Sequence, residues 1–249
     1  MSDRDGGGRG VYLLVTLGLI SFSFSPILVR FADEAPGIAI AVWRTVFAVA
    51  LLTPFALPKA VQRVRELSRK ERLLILASGI ILGLHFIAWI ESLYYTSVAS
   101  ASVLVTTSPI FIAVLEYFFL DESVGSWTIG AIALSIGGSA LIGWGDYGAG
   151  TMPQPLLGNG IALGAAVLVS IYLIIGRVVR RKVDWLAYVY PLYVVVACTC
   201  LAAAGIRGVG LFEYPRSFYG WCFLMALGPQ VIGHGSFNYA LAYMAAVLL

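Results

Sequence analysis

Long apolar stretches, separated by short polar connections, run almost the whole length of the chain. A stretch of roughly 20 apolar residues crosses a ~30 Å hydrocarbon core at about 1.5 Å per residue. The pattern predicts transmembrane helices at about 11–32, 36–57, 73–95, 98–118, 125–144, 157–178, 185–206 and 218–241. A ninth begins near Tyr243 and is cut off at Leu249. Connections such as Ala32-Asp-Glu-Ala and Thr96-Ser-Val only have room to turn the chain back. Neighbouring helices therefore run antiparallel and pack side by side. The apolar run after the polar, Gly-rich residues 1–10 is too long for a signal-peptide core and is followed by further spans, so it reads as a retained first anchor. The chain is an all-α polytopic membrane protein.

Composition agrees: 60% of residues are hydrophobic and 12% charged, where a soluble domain carries about 25% charge. The net charge of +3 does not mark a nucleic-acid partner, because the basic residues lie in the connections. Arg4 and Arg9 precede span one. Lys59, Arg63, Arg65, Arg69, Lys70 and Arg72 lie between spans two and three, and Arg177, Arg180, Arg181 and Lys182 between six and seven. With a cytoplasmic N-terminus these twelve lie inside and only Arg30, Arg207 and Arg216 outside. The positive-inside rule thus places the N-terminus in the cytoplasm, in a plasma-membrane protein. The run from Lys59 to Arg72 reads as a cytoplasmic loop, or alternatively as an amphipathic helix on anionic lipid. Tyr94, Tyr95, Trp144, Trp185, Tyr188, Tyr190, Tyr219 and Trp221 cluster near span ends as an interfacial belt. Cys198, Cys200 and Cys222 fall inside apolar spans and form no disulfide framework.

A weak internal repeat is present. The segment from Ser92 (Ser-Leu-Tyr-Tyr-Thr-Ser-Val-Ala-Ser-Ala-Ser-Val-Leu-Val) matches that from Ser236 (Ser-Phe-Asn-Tyr-Ala-Leu-Ala-Tyr-Met-Ala-Ala-Val-Leu-Leu) at an offset of 144. An offset of 147 lays Ser23 on Ser170 and Arg30 on Arg177. Spans one to five, residues 1–150, then pair with residues 151–249. Five is odd, so the second copy enters the membrane from the opposite side, the inverted repeat common in alternating-access transporters. About forty residues follow Val105 in the first half, and the second half stops at the matching point, so the expectation is a ten-helix protein of roughly 290–300 residues, apparently truncated here after eight to nine helices. A protein with only eight or nine spans is the alternative.

The residues at membrane depth carry the chemistry. Arg44 sits inside an otherwise apolar span, and Glu91, Glu116, His85 and His234 inside others. Ionisable groups there face a bundle interior or an aqueous path. Arg44 and Glu91 lie near the outer ends of adjacent antiparallel spans, where a salt bridge is within reach; a substrate-anion or gating role for Arg44 is the rival. His85, Trp89 and Ser92 share a helical face by i, i+4, i+7 spacing, and Gln230, His234 and Asn238 form a matching stripe on span eight. The two stripes line opposite walls of one cavity if spans three and eight are mates; interhelical hydrogen bonding alone also justifies them. Glu116 pairs with Arg177 or is hydrated. Pro26, Pro109, Pro191 and Pro229 lie inside apolar runs as sites of kinking or gating. Gly79-x-x-x-Gly83 and Gly160-x-x-x-Gly164 suggest close helix packing. Gly6-Gly7-Gly8 forms no phosphate loop, since no Lys-Ser/Thr follows and no strand precedes. No metal set converges by spacing, and no cofactor motif is present.

The sequence resembles the EamA-type transporters of the drug/metabolite transporter superfamily. The resemblance rests on Gly83-Leu-His-Phe-Ile-Ala-Trp-Ile-Glu-Ser-Leu-Tyr-Tyr-Thr-Ser-Val-Ala-Ser-Ala-Ser-Val-Leu, on Ser108-Pro-Ile-Phe and on Glu116-Tyr-Phe-Phe-Leu-Asp-Glu. Trp43-Arg44 is similar to the family's aromatic-Arg step, Glu122 to its glutamate after span four, and the Gln230 to Leu241 segment to its eighth helix. The resemblance implies secondary transport and permits amino acids, drugs or other metabolites as substrates; a small-molecule substrate and membrane lipid are the expected partners, and H⁺ or Na⁺ coupling, exchange and facilitated flow all stay open. A non-transporting membrane scaffold is the second hypothesis and an intramembrane enzyme the third. The enzyme would need a convergent nucleophile–base or metal constellation. Substrate, direction, coupling ion and oligomeric state are not legible.

Overall fold

The structure, a computed structural model, describes residues 4–121, 125–147 and 152–249. The described residues are helical throughout: α1 Arg4–Ser23, α2 Ser25–Phe31, α3 Gly37–Glu66, α4 Arg69–Tyr95, α5 Val98–Val105, α6 Ser108–Leu120, α7 Ser126–Tyr147, α8 Pro155–Arg180, α9 Trp185–Ile206, α10 Arg216–Met225, a π-helix Ala226–His234, α11 Gly235–Ala240 and a 3-10 turn Ala246–Leu248. Among the described residues six stretches are long and apolar enough to cross a membrane: Gly10–Phe31, Gly37–Leu57, Arg69–Tyr95, Val98–Leu120, Pro155–Arg180 and Trp185–Ile206.

Proline chemistry explains most departures from uninterrupted spans. Pro26 and Pro109 occupy the first turns of α2 and α6, where a missing N–H removes no intrahelical bond. The first and fourth predicted spans are consequently each two helices. Pro191 lies within the continuous α9. Pro229 lies in the π-helix between α10 and α11, so the eighth predicted span is not one regular α-helix. A proline cannot donate to the i−4 carbonyl, and a wider i→i+5 winding accommodates the gap. The ninth predicted span is not a helix start at Tyr243: a turn leads from Ala240 to the 3-10 residues Ala246–Leu248. Nor is the basic connection after span two all loop. Helix α3 continues to Glu66, and extended Leu67 ends it. Ser68 then opens α4 with a capping box, its Oγ accepting from the Glu71 amide at 3.2 Å while Glu71 Oε2 accepts from the Ser68 amide at 2.8 Å.

Helix α4 lies at the centre, packed on α8 and α9, and α3 packs on α9. The core they enclose includes Ile40, Leu82, Phe86, Ile90, Tyr188 and Leu192. Gly79 and Gly83 set the approach of α4 to α9. A Cβ on Gly79 would stand 2.6 Å from Val195 Cβ, and one on Gly83 2.8 Å from Thr199 Cβ. The Gly160/Gly164 pair does not pack: no atom lies within 4 Å of either ideal Cβ. The close contact on α8 is instead Gly158 against Thr96. Helix α1 covers the π-helix and α11, with Val11 and Val15 on Phe237 and Ala240. Tyr12, Leu13 and Leu17 on α1, Phe118 and Phe119 on α6, and Trp127 and Leu134 on α7 are exposed. Such a broad apolar surface suits lipid and would aggregate in water.

Candidate functional site

Helix α3 starts just after Pro36, and Arg44 falls two turns in, only 1% exposed. Its Nε donates to Gln230 Oε1 at 3.2 Å. This is the guanidinium's one side-chain hydrogen bond among the described residues. The guanidinium carbon lies 4.1 Å from the centroid of the Phe86 ring, a cation–π contact that also fixes the plane of the fork. Its other polar neighbours are Cys200, Tyr193 and Cys222. Tyr193 donates its hydroxyl to the Gln230 carbonyl at 2.7 Å, securing the π-helix against α9.

One turn deeper stand the histidines. His85 Nδ1 bonds the Ala165 carbonyl at 2.8 Å; a carbonyl only accepts, so this nitrogen carries the proton. The His234 ring stands 6.2 Å from that of His85 and meets Phe22, Phe86 and Tyr172 at 4.7, 5.0 and 5.9 Å. The Tyr172 hydroxyl donates to Asn238 Oδ1 at 3.2 Å and lies 3.4 Å from His234 Nδ1. Its single proton goes to the amide, so it accepts from His234 Nδ1–H. The cluster then reaches Arg180, whose Nε donates to the Asn238 carbonyl at 2.9 Å and whose Nη1 donates to the Val183 carbonyl. At the same end Arg177 Nε stands 3.7 Å from Glu116 Oε1. That oxygen accepts the Ala246 amide at 2.7 Å, and Arg177 also donates to the Met244 carbonyl.

Arg44 and Glu91 are not paired. Glu91 instead lies against the opening turn of α3, its Oε1 3.0 Å from where a Cβ on Gly37 would be. A carboxylate there answers unpaired amides and the positive end of the helix dipole. Arg44, two turns deeper, takes the Gln230 amide. Ser92 turns back on its own helix, donating to the Trp89 carbonyl at 2.7 Å, so its hydroxyl needs no partner across the bundle. Trp89 is buried in the main core. Glu122 lies outside the described residues. The structure therefore brings Arg44, His85, Gln230, His234 and Asn238 into one neighbourhood and leaves Glu91 and Ser92 on local duties.

Two side-chain donors in this neighbourhood have no acceptor. Gln230 Nε2 and Asn238 Nδ2 are buried and make no hydrogen bond among the described residues. The Gln230 orientation is fixed, because the Arg44 guanidinium is a donor only and requires the amide oxygen. Sequence reasoning missed Tyr172, Tyr193 and Phe86. A tyrosine far from either span end was the available signal, since a buried hydroxyl needs a partner. Among the described residues no group of three His, Cys, Asp or Glu converges as a metal set.

A helical bundle with an apolar exterior and buried polar residues from several helices defines a polytopic membrane protein. Over residues 9–144, more than half of its length, the chain matches the EamA-like transporter family, and it belongs to that family. Membership assigns it a general role in transport. No curated protein sequence matches it. A solved structure described only as "Crystal structure of protein" superposes with a TM-score of 0.76, covering 96% of this chain and 82% of that one at 16% identity. That likeness is one of fold.

Proposed function

We propose that the chain is a secondary transporter of small polar or amphipathic metabolites or drugs, working by alternating access between two inverted repeats, the first at residues 1–150 and the second, incomplete at its C-terminal end, at 151–249. One observation carries this reading. Arg44 and His85 from the first half meet Gln230 and His234 from the second in a single buried polar cluster. Holding a guanidinium and unpaired amides at membrane depth costs several kcal/mol, so selection for stability alone would favour apolar replacements. Contacts suited to gating flank the cluster. At one end Trp43 Nε1 donates to the Leu211 carbonyl at 2.7 Å, with Phe212 and Tyr219 around its ring. At the other, Arg177 meets Glu116. Opening one end while the other stays closed is the elementary act of alternating access. The basic bias of the connections supports a cytoplasmic N-terminus in the plasma membrane, and H⁺ or Na⁺ coupling or exchange would supply the driving force.

A non-transporting scaffold is the second reading, favoured by the His85–Ala165 hydrogen bond and the aromatic packing of His234. The two readings separate in a substrate-panel flux assay with the purified full chain in proteoliposomes, run for the wild type and the His85→Ala/His234→Ala double variant. Transport predicts flux above empty liposomes and a fall of at least about tenfold per folded molecule in the double variant, the effect of losing about 1.4 kcal/mol at the site. No flux across the panel would sink the transport reading. Undiminished flux in the double variant would assign the histidines to packing alone.

A further inference from the structure

We infer that the Arg44–Gln230 pair is a receptor for a carboxylate, so that the transported solute is a small organic monoanion docked by its carboxylate group. The inference deepens the transport reading and rests on it for the word "transported"; the binding site itself stands on three observations.

First, Arg44 is a buried cation with no counter-ion among the described residues. The salt bridges Arg63–Asp184 and Arg177–Glu116 do not involve it, and Glu91, the carboxylate closest in the sequence pattern, lies against Gly37 at the start of α3 instead. A guanidinium stays protonated in proteins. Among the described residues its charge is answered by one amide oxygen and the face of Phe86. Second, Gln230 turns its oxygen to Arg44 Nε at 3.2 Å, so its Nε2 sits on the same side chain with no acceptor. An orphaned buried amide donor is unfavourable by itself, and an acceptor brought in by a solute would satisfy it. Third, the donor geometry selects the anion. With Nε engaged, the two terminal nitrogens of the guanidinium are left for a planar, bidentate partner, and Gln230 Nε2 is an unused donor on the residue that Arg44 bonds. A carboxylate offers two coplanar oxygens with about four acceptor positions, which matches a fork plus one donor. A phosphate dianion would need more positive charge than one arginine supplies. Neighbouring Phe86 and Tyr193 give the solute's carbon frame an aromatic surround. A neutral solute would leave the guanidinium unanswered.

The test uses the purified full chain in lipid nanodiscs, with binding read by isothermal calorimetry and by the ligand-induced rise in melting temperature. The probes are acetate, hexanoate and benzoate, each against its primary amide, with inorganic phosphate as an anion of different geometry. The inference expects at least one of the three carboxylates to bind at least about tenfold tighter than its amide and tighter than phosphate. Arg44→Gln should abolish that binding. Because Arg44→Gln could simply fail to fold, Gln230→Glu is the second variant: it places a carboxylate on the fork, so it should fold, melt no lower than wild type, and bind none of the carboxylates. Equal binding of acid and amide, preference for phosphate, carboxylate binding that survives Gln230→Glu, or no response to any carboxylate would each overturn the inference. Flux measured separately keeps the two readings apart. Carboxylate binding without flux would defeat the transport reading and leave the receptor. Flux of neutral solutes with no carboxylate binding would do the reverse.

Discussion

Arg44 shows how far a single residue can be read from sequence. Its cost at membrane depth is evident from the apolar run around it, and so is the need for a partner. The partner's identity is not. Glu91 lies near the outer end of the next span and has the right charge, yet its carboxylate sits at the first turn of α3, by Gly37. Gln230, separated from Arg44 by 186 positions, provides the contact. Charge complementarity favours the nearer acid in a one-dimensional reading. Geometry decides otherwise, because the four unpaired amides of a helix start compete for the same carboxylate. A double-mutant cycle in melting free energy measures the outcome. Arg44→Met with Gln230→Leu should show coupling of about 0.5–3 kcal/mol, as contacting residues do. Arg44→Met with Glu91→Gln should be additive within about 0.5 kcal/mol, as for sites that share no partner. Coupling of the second pair as strong as the first would restore the discarded salt bridge. The histidines differ from Arg44: their polar stripes are legible as i, i+4 spacing, whereas the Tyr172 that joins His234 to Asn238 is marked in the sequence only by its place inside a span.

Among elements, the apolar run length locates the helices well and their internal breaks poorly. Pro26, Pro109, Pro191 and Pro229 look alike in sequence. Two begin a second helix, one sits inside a regular helix and one lies in a π-helix. The difference lies in what the neighbouring helices can do for the freed carbonyls, and a single segment does not record that. The glycine pairs make the same point. Gly79/Gly83 and Gly160/Gly164 share a motif, but only the first faces another helix closely. Gly79→Val should therefore lower stability by about 1–3 kcal/mol through overpacking, since the new Cβ would also stand 3.0 Å from the Leu192 carbonyl, a backbone atom with little freedom to move. Gly164→Ala should instead be neutral or stabilising by up to about 1 kcal/mol, the helix-propensity gain of alanine over glycine. Thermal unfolding in detergent with a tryptophan readout compares the two. A loss at Gly164 as large as that at Gly79 would mean that the exposed face of α8 is covered by something other than lipid.

At the scale of the whole molecule, the distribution of charge carries the orientation proposed above. Twelve basic residues fall on one side of the predicted topology and three on the other. The fold adds a physical link between two members of the basic set of connections: Arg63 on the end of α3 reaches Asp184 before α9 at 3.2 Å. The α3–α4 and α8–α9 connections therefore share one end of the bundle, independently of any charge rule. Both partners are well exposed, so the pair adds less than about 1 kcal/mol to stability and serves here as a marker of geometry. Arg207 follows α9 at the opposite end and is exposed. If the positive-inside rule governs insertion, cysteine at position 65 reacts with an impermeant maleimide only when the cytoplasmic face is open, and cysteine at 207 reacts in intact cells. Cys198 is exposed and must first be changed to serine, whereas Cys200 and Cys222 are buried and should stay silent. Each outcome is diagnostic. Labelling of Arg65→Cys alone in intact cells would invert the protein. Labelling of both positions in intact cells would mean a mixed orientation, as in dual-topology proteins with weak charge bias, and the strength of the bias in this chain argues against it.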